Sequence, residues 1–154
     1  MVEEAKNGHL SWGQFTPHVL VVEQDVDYGQ SLLQELRSRS IRAKHMLNVD
    51  AFLDLNCQER VHLVSLDIDA IDPANLDSIV LLRTHFGEGP GTRIVASSRF
   101  MHGAFAMLLE KRGADKSIAK PTAPEALAAA LEAELRIQMK ANEFGQAKAP
   151  DRSE

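Results

Sequence analysis

Polar side chains that could do chemistry stand directly after short apolar segments of this sequence. They are Glu23, Gln24 and Asp25 after the first segment, Asp67 and Asp69 after the third, Ser97 after the fourth, and Lys120 after the fifth. Carboxylates that lie close together attract a divalent cation, and a site rich in oxygen ligands suits Mg²⁺. A lysine opposite these carboxylates can pair with one of them or with a phosphoryl group. The chemistry requires a fold that brings these segment ends together.

The apolar segments themselves have the composition of β-strands. The predicted strands are residues 18–22, 41–46, 61–66, 93–96 and 116–119. The first and third are apolar almost throughout, as expected for strands buried on both faces of a sheet. The second alternates in polarity, which is typical of a strand near an edge.

Helical patterns follow each predicted strand. Asp27 and Gln30 have the spacing of a capping box, and Tyr28, Leu32 and Leu36 then lie on one face of the first helix. Later helices are predicted at about 49–57, 76–86, 101–112 and 122–139. Strands that alternate with helices predict an α/β fold with a doubly wound parallel sheet, covered on both faces. Ligands bind at the carboxyl ends of such strands, so the polar residues should converge there.

Length and composition limit the class of protein. The chain has 154 residues, enough for one domain, with 44% hydrophobic and 25% charged residues. Its net charge is −5, whereas a nucleic-acid-binding domain usually carries an excess of basic residues. The single cysteine, Cys57, forms no intrachain disulfide. No apolar stretch indicates a signal peptide or a membrane span, so we expect a cytoplasmic protein.

The predicted elements divide the chain into three parts. We expect a flexible extension over residues 1–17, one domain over 18–140, and a disordered, polar tail over 141–154. Neither end is long enough for an output domain. If the chain is complete, its output is therefore a protein–protein contact on the domain surface.

This constellation resembles the receiver domain of two-component response regulators over residues 19–135. The resemblance depends on the segments Val21 to Asp25, Leu66-Asp67, Ala96-Ser97 and Lys120-Pro121, in that order. It implies a flavodoxin-like (βα)₅ fold with strand order 2-1-3-4-5.

The resemblance also implies a role for each site residue. Asp67 matches the aspartate that accepts a phosphoryl group from a histidine kinase or a phosphotransfer protein. Glu23 matches an acidic ligand of Mg²⁺, and Asp69 the position of a backbone carbonyl ligand. Ser97 matches a hydroxyl that turns towards the phosphoryl oxygen, and Lys120 a lysine that pairs with it.

Several positions differ from the family pattern. Gln24, a neutral amide, stands where a second acid normally binds the metal directly, although Asp25 is adjacent. Ile71 replaces a usual proline, Ser117 stands at the place of an aromatic switch residue, and Arg99 at a position that tunes dephosphorylation. These differences leave a second hypothesis open, a phosphorylation-independent pseudo-receiver that serves as a protein-interaction module.

Simpler roles are also open for some of these side chains. Glu23 and Asp25 could serve only to cap the following helix, whose N-terminus favours negative charge. We interpret His45 and His62 as core or surface residues, because no pair of histidines has metal-ligand spacing.

The expected function is that of a signalling protein with a downstream protein partner, and not that of an enzyme. A small metal-assisted hydrolase is a weaker alternative, because no second nucleophile or base accompanies the acids. A homodimer through the last helix is also possible on this pattern. The stripe formed by Leu127, Leu131 and Leu135 would equally serve core packing.

Overall fold

The structure, a computed structural model, describes residues 12, 16–54, 60–68, 73–87 and 91–148. Its strands are β1 (His18–Val22), β2 (Arg42–Met46), β3 (Leu63–Asp67), β4 (Arg93–Ser98) and β5 (Lys116–Ala119). Its helices are α1 (Val26–Ser38), α2 (Val49–Asp54), α3 (Pro73–Phe86), α4 (Gly103–Arg112) and α5 (Pro124–Lys148). The strands form one parallel sheet in the order β2-β1-β3-β4-β5. The predicted fold class and strand order are confirmed.

The sheet separates two hydrophobic clusters. Alternate residues of β1 face opposite sides: Val19 and Val21 pack with α1 and α5, whereas Leu20 and Val22 pack towards α2, α3 and α4. This alternation on a strand buried throughout explains why residues 19–22 of β1 are all apolar. The leucine stripe of α5 is at most 1% exposed, so these leucines fill the core. The stripe is therefore explained by packing.

The last helix differs from the sequence prediction. Helix α5 continues to Lys148, whereas the sequence predicts an end near Met139 and a disordered tail over 141–154. That assignment is wrong for residues 141–148. The side chain of Gln138 donates to Asn142 Oδ1 at 3.0 Å, one turn further along, and no proline interrupts this stretch. Residues 1–11, 13–15 and 149–154 lie outside the described residues.

The strand register places the ends of the strands side by side. Val22 pairs with Leu66, and Asp67 pairs with Ser97. Beyond the paired residues, the N–H of Lys120 donates to the carbonyl of Ser98 at 2.9 Å. The carboxyl ends of β1, β3, β4 and β5 therefore meet at one edge of the sheet. Among the described residues, no helix is both long and apolar enough to cross a membrane.

At the opposite edge of the sheet, Arg83 on α3 connects several loops. Its guanidinium donates twice to the carbonyl of Gly113, at 2.8 and 3.1 Å, and once to the carbonyl of Gly87 at 3.2 Å. It also pairs with Asp115 at 2.6 Å, and the same carboxylate accepts the N–H of Ile94 at 2.8 Å. One side chain thus fixes the start of β4 and the turn before β5.

We expect Arg83→Ala to lower the free energy of unfolding by about 2 kcal/mol, because several loop carbonyls and a carboxylate lose their donor. Urea unfolding measures this change. Arg112→Ala, at an exposed arginine near the end of α4, is the matched control and should have little effect. Equal stability of the two variants would contradict the role assigned to Arg83.

Candidate functional site

An ammonium group enclosed by two carboxylates forms the centre of the carboxyl edge. Lys120 Nζ lies 2.7 Å from Glu23 Oε1 and 3.1 Å from Asp67 Oδ1. The three side chains are almost fully covered, with 0% of the Lys120 side chain, 3% of Glu23 and 4% of Asp67 exposed. Burial of charge is tolerated only with close partners, and here the charges are paired. The sequence prediction that these three residues converge is confirmed by their positions.

The backbone of the sheet positions each of these side chains. The N–H of Glu23 donates to the carbonyl of Met46 at 3.0 Å, which extends the ladder between β1 and β2 by one residue. Asp67 is the last residue of β3, and Lys120 directly follows β5. Hydrogen bonds of the sheet thus reach the site itself, which makes it part of the rigid framework.

Burial and like charge act together on Asp67. Burial raises the pKa of Asp67, the neighbouring Glu23 carboxyl raises it further by charge and by a hydrogen bond, and Lys120 lowers it; the result is about 7. Burial alone would lower the pKa of Lys120. The hydrogen bond to Glu23 and the charge of Asp67 outweigh that effect, so the pKa of Lys120 is raised. Lys120 therefore stays charged, while Asp67 binds a proton near neutral pH.

Gln24 and Asp25 lie at the surface of the loop between β1 and α1. Both are exposed, and Asp25 is the N-cap of α1, since its Oδ1 accepts the N–H of Tyr28 at 3.1 Å. The N–H of Asp25 in turn donates to Glu23 Oε2 at 3.1 Å. Asp25 also faces Arg99 at 4.0 Å. Asp25 thus serves the helix, and its backbone holds the Glu23 carboxylate.

The hydroxyl residues Ser97 in β4 and Ser117 in β5 have different positions. Ser97 is buried, with 1% exposure, and is the register partner of Asp67. Ser117, in the middle of β5, is half-buried, and its hydroxyl lies 3.5 Å from the carbonyl of Ala106 on α4. Ser97 therefore belongs to the site, whereas Ser117 faces α4.

Tyr28 is a site residue that the sequence analysis interpreted only as part of the apolar face of α1. Lys120 Nζ lies 4.3 Å from the centre of its ring, and its hydroxyl donates to the carbonyl of Pro121 at 2.7 Å. Burial raises the pKa of the Tyr28 hydroxyl, although nearby Lys120 opposes this effect. An aromatic residue in the first turn after the acidic loop was the only available signal for this contact.

His45 is a second residue whose place the sequence did not indicate. Its Nε2 lies 2.8 Å from the carbonyl oxygen of Glu23, and its Nδ1 lies 3.1 Å from the side-chain nitrogen of Gln30. With hydrogen on Nε2, the ring donates to the Glu23 carbonyl, and its Nδ1 accepts from the Gln30 amide nitrogen. The ring lies over Gly29, where a Cβ atom would come within 2.4 Å of it. Gly29 thus leaves room for a histidine that holds the acidic loop.

The donors available for a metal ion at this edge are few. Glu23 and Asp67 supply carboxylates, whereas Gln24 and Asp25 lie at the surface. Within the described ranges, no group of three or more histidine, cysteine or acidic residues is placed to hold a metal ion. Asp69 and Ile71, which the sequence analysis singled out, lie outside the described residues, as does Cys57.

Comparison with known proteins supports the fold. The sequence matches no protein-family model and no curated protein. Among solved structures, a response regulator from Thermotoga maritima is 23% identical over 79% of this chain and 99% of that chain, with a TM-score of 0.66. A receiver domain protein from Methanospirillum hungatei JF-1 is 20% identical over 82% of this chain and 98% of that chain, with a TM-score of 0.67.

A third similar structure contains a phosphorylated aspartic acid. It is a response regulator protein from Burkholderia pseudomallei with a phosphorylated aspartic acid and a calcium ion, 23% identical to this chain. The match covers 79% of this chain and 74% of that chain, with a TM-score of 0.61. This chain therefore has the fold of response regulator receiver domains, as the sequence resemblance predicted.

The raised pKa of Asp67 predicts a pH-dependent stability. Because the pKa rises from 3.8 to about 7 on folding, protonated Asp67 contributes stability that is complete at acidic pH and is lost as the pH rises through 7. We expect Asp67→Asn to be stabilised over the wild type, and this advantage to grow by about 2 kcal/mol from about pH 5 to about pH 8. Urea unfolding in buffer containing a metal chelator measures it.

The control for this prediction is Asp77→Asn, at an exposed aspartate of α3. It should leave the pH dependence of the free energy of unfolding as it is in the wild type. A constant difference between Asp67→Asn and the wild type across the pH range would contradict the raised pKa of Asp67.

Proposed function

We propose that this chain is a two-component signalling receiver that accepts a phosphoryl group on Asp67 from a histidine kinase or a phosphotransfer protein. The observation that supports this most is the buried contact of Lys120 with Asp67 and Glu23 at the carboxyl edge of a receiver fold. The Burkholderia pseudomallei protein with a phosphorylated aspartic acid has the same fold. Here the proposed acceptor is the aspartate that lies next to the lysine.

The proposed transfer needs a nucleophile, a leaving group and a counter-charge. An oxygen of Asp67 forms a bond to phosphorus while the phosphorus–nitrogen bond of the donor phosphohistidine breaks, and the imidazole keeps the electron pair. Lys120 then pairs with the oxygens of the acyl phosphate, and the hydroxyl of Ser97, on the neighbouring strand, is available as a donor. These roles of Asp67, Ser97 and Lys120 complete the proposed site.

Glu23 and Asp67 are the residues that would hold Mg²⁺. Two carboxylates with additional water ligands are a common protein contribution to a magnesium site, so the donor types fit this ion. When bound, Mg²⁺ offsets the negative charge that gathers between the carboxylate and phosphoryl oxygens. Because Gln24 is neutral and exposed, this pocket offers less negative charge than one with a second acid at that position.

The proposed output is a contact with a downstream protein. A phosphoryl group on Asp67 would attract the hydroxyl of Ser97 towards its oxygens. This movement would change the conformation of the loop between β4 and α4. Phe100, in that loop, is 69% exposed, and Met107 on α4 is 65% exposed. Exposed apolar side chains on an element that responds to the site would allow a partner to distinguish two states.

A phosphorylation-independent interaction module is the second candidate, and one observation favours it. Lys120 already neutralises much of the charge of Glu23 and Asp67, and Asp67 takes up a proton near pH 7. The charges of the site can therefore be balanced without a metal ion or a phosphoryl group. In this reading, the three residues serve to hold the sheet edge together.

Incubation with Mg²⁺ and acetyl phosphate discriminates between the two candidates. We expect the intact protein to gain the mass of one phosphoryl group, with the lability of an acyl phosphate, and Asp67→Asn to gain none. Mass spectrometry at neutral pH measures the gain. Asp50→Asn, at an exposed aspartate in the first turn of α2, is the control and should be modified like the wild type.

The outcome of this experiment is decisive in both directions. If the wild type is not phosphorylated, the proposal that Asp67 accepts a phosphoryl group is contradicted, and the interaction module is favoured. Persistent modification of Asp67→Asn would place the acceptor elsewhere.

A gain of charge at Gln24 tests the proposed metal pocket. We expect Gln24→Asp to bind Mg²⁺ about fivefold more tightly, because one more carboxylate near the ion contributes about 1 kcal/mol even in water. NMR titration with Mg²⁺, followed at residues around Asp67, measures the affinity. Gln34→Asp, at an exposed residue of α1, is the control and should leave the affinity unchanged. Equal affinity of Gln24→Asp and the wild type would argue against a metal ion beside Glu23.

A further inference from the structure

Tyr28 contacts the site through both ends of its side chain. The face of its ring lies 4.3 Å from Lys120 Nζ, and its hydroxyl donates to the carbonyl of Pro121 at 2.7 Å. The residue is 8% exposed and belongs to the first turn of α1, directly after the acidic loop. It is also the only tyrosine of the chain. The ring therefore touches the ammonium of Lys120, while the hydroxyl holds the residue that follows Lys120.

We propose that Tyr28 is a positioning residue that fixes the ammonium of Lys120 between Glu23 and Asp67. A lysine side chain has a flexible stem, so its charged end needs contacts on several sides to occupy one place. The two carboxylates provide two of these contacts, at 2.7 and 3.1 Å. The negative face of the Tyr28 ring provides a third contact, since Lys120 Nζ lies 4.3 Å from the ring centre.

The hydroxyl of Tyr28 fixes the same lysine through the backbone. Lys120 is connected to β4 on one side, by its N–H to the carbonyl of Ser98, and to α1 on the other, through Pro121 and Tyr28. The start of α1 and the chain after β5 therefore hold the backbone of Lys120 together. A phenylalanine would keep the ring contact and lose this connection, whereas a leucine would lose both.

A role in packing alone does not account for these contacts. The apolar face of α1 continues with Leu32 and Leu36, which are at most 1% exposed and belong to the same hydrophobic cluster as Tyr28. An aliphatic residue at position 28 would continue this face equally well. The aromatic ring and the hydroxyl instead meet a cation and a carbonyl, both at the carboxyl edge.

The consequence for the site rests on the proposed function. If Lys120 pairs with a phosphoryl group on Asp67, Tyr28 determines the position of the Lys120 ammonium group before the transfer. Its loss should slow the transfer because the lysine must first be ordered. The position of the ammonium can also be measured without any phosphoryl group, so the two proposals can fail separately.

The experiment uses the full chain labelled with ¹⁵N-lysine. In the wild type, we expect a resolved ammonium signal of Lys120, identified by its loss in Lys120→Met, and nuclear Overhauser contacts from its methylene protons to the Tyr28 ring. Tyr28→Phe should keep the signal, and Tyr28→Leu should lose it. With acetyl phosphate and Mg²⁺, we expect Tyr28→Leu to be phosphorylated about threefold to tenfold more slowly, as the loss of a buried cation–π contact implies.

Phe52→Leu is the control, because it removes another buried ring, from α2 in the opposite cluster. It should lower stability without changing the Lys120 signal. The proposal is overturned if Tyr28→Leu keeps the signal or if Phe52→Leu loses it as well. Absence of the Overhauser contacts in the wild type would overturn it without any variant. A wild type that is never phosphorylated would refute the proposed function and leave the test of Tyr28 intact.

Discussion

The burial of the Lys120 ammonium is the constraint that organises the carboxyl edge of this sheet. A charged group with no exposed side-chain surface is stable only where partners replace its water, and each of its neighbours does so in a different way. Glu23 and Asp67 provide negative charge, and the Tyr28 ring provides its electron-rich face. The lysine and its partners come from the ends of β1, β3 and β5 and from α1, so four elements build the site.

The sheet makes this arrangement possible by the alignment of its strand ends. Glu23 follows β1, Asp67 ends β3 and Lys120 follows β5, and parallel strands deliver all three to the same edge. The side chains that hold the opposite edge are of another kind. Arg83 there binds loop carbonyls and Asp115, which fixes the starts of strands. One edge therefore carries the buried charge, and the other carries the connections that keep the strands in register.

The sequence predicted the fold and the core of the site because both follow from short, periodic patterns. Apolar strands that alternate with helical faces imply a parallel sheet, and the rule that its ligands lie at strand ends points to a set of polar residues that includes Glu23, Asp67 and Lys120. The resemblance to receiver domains then assigned a role to each of these three. The contacts of Tyr28 and His45 could not be predicted in this way. A residue on a helix face, or on an edge strand, has the same periodicity whether it meets a leucine or a charged group. Such contacts depend on the packing of elements, which periodicity does not describe.

The charge balance of the pocket explains why a neutral residue at position 24 matters. With Glu23 and Asp67 as the buried acids, one lysine and one proton can compensate both charges, in agreement with the raised pKa of Asp67. A carboxylate at position 24, although exposed, would add negative charge near the pocket and would favour a cation there. Gln24 therefore favours a pocket that is balanced in the absence of a cation. A phosphoryl group would upset that balance by adding negative charge, and Lys120 is the cation in direct reach to offset it.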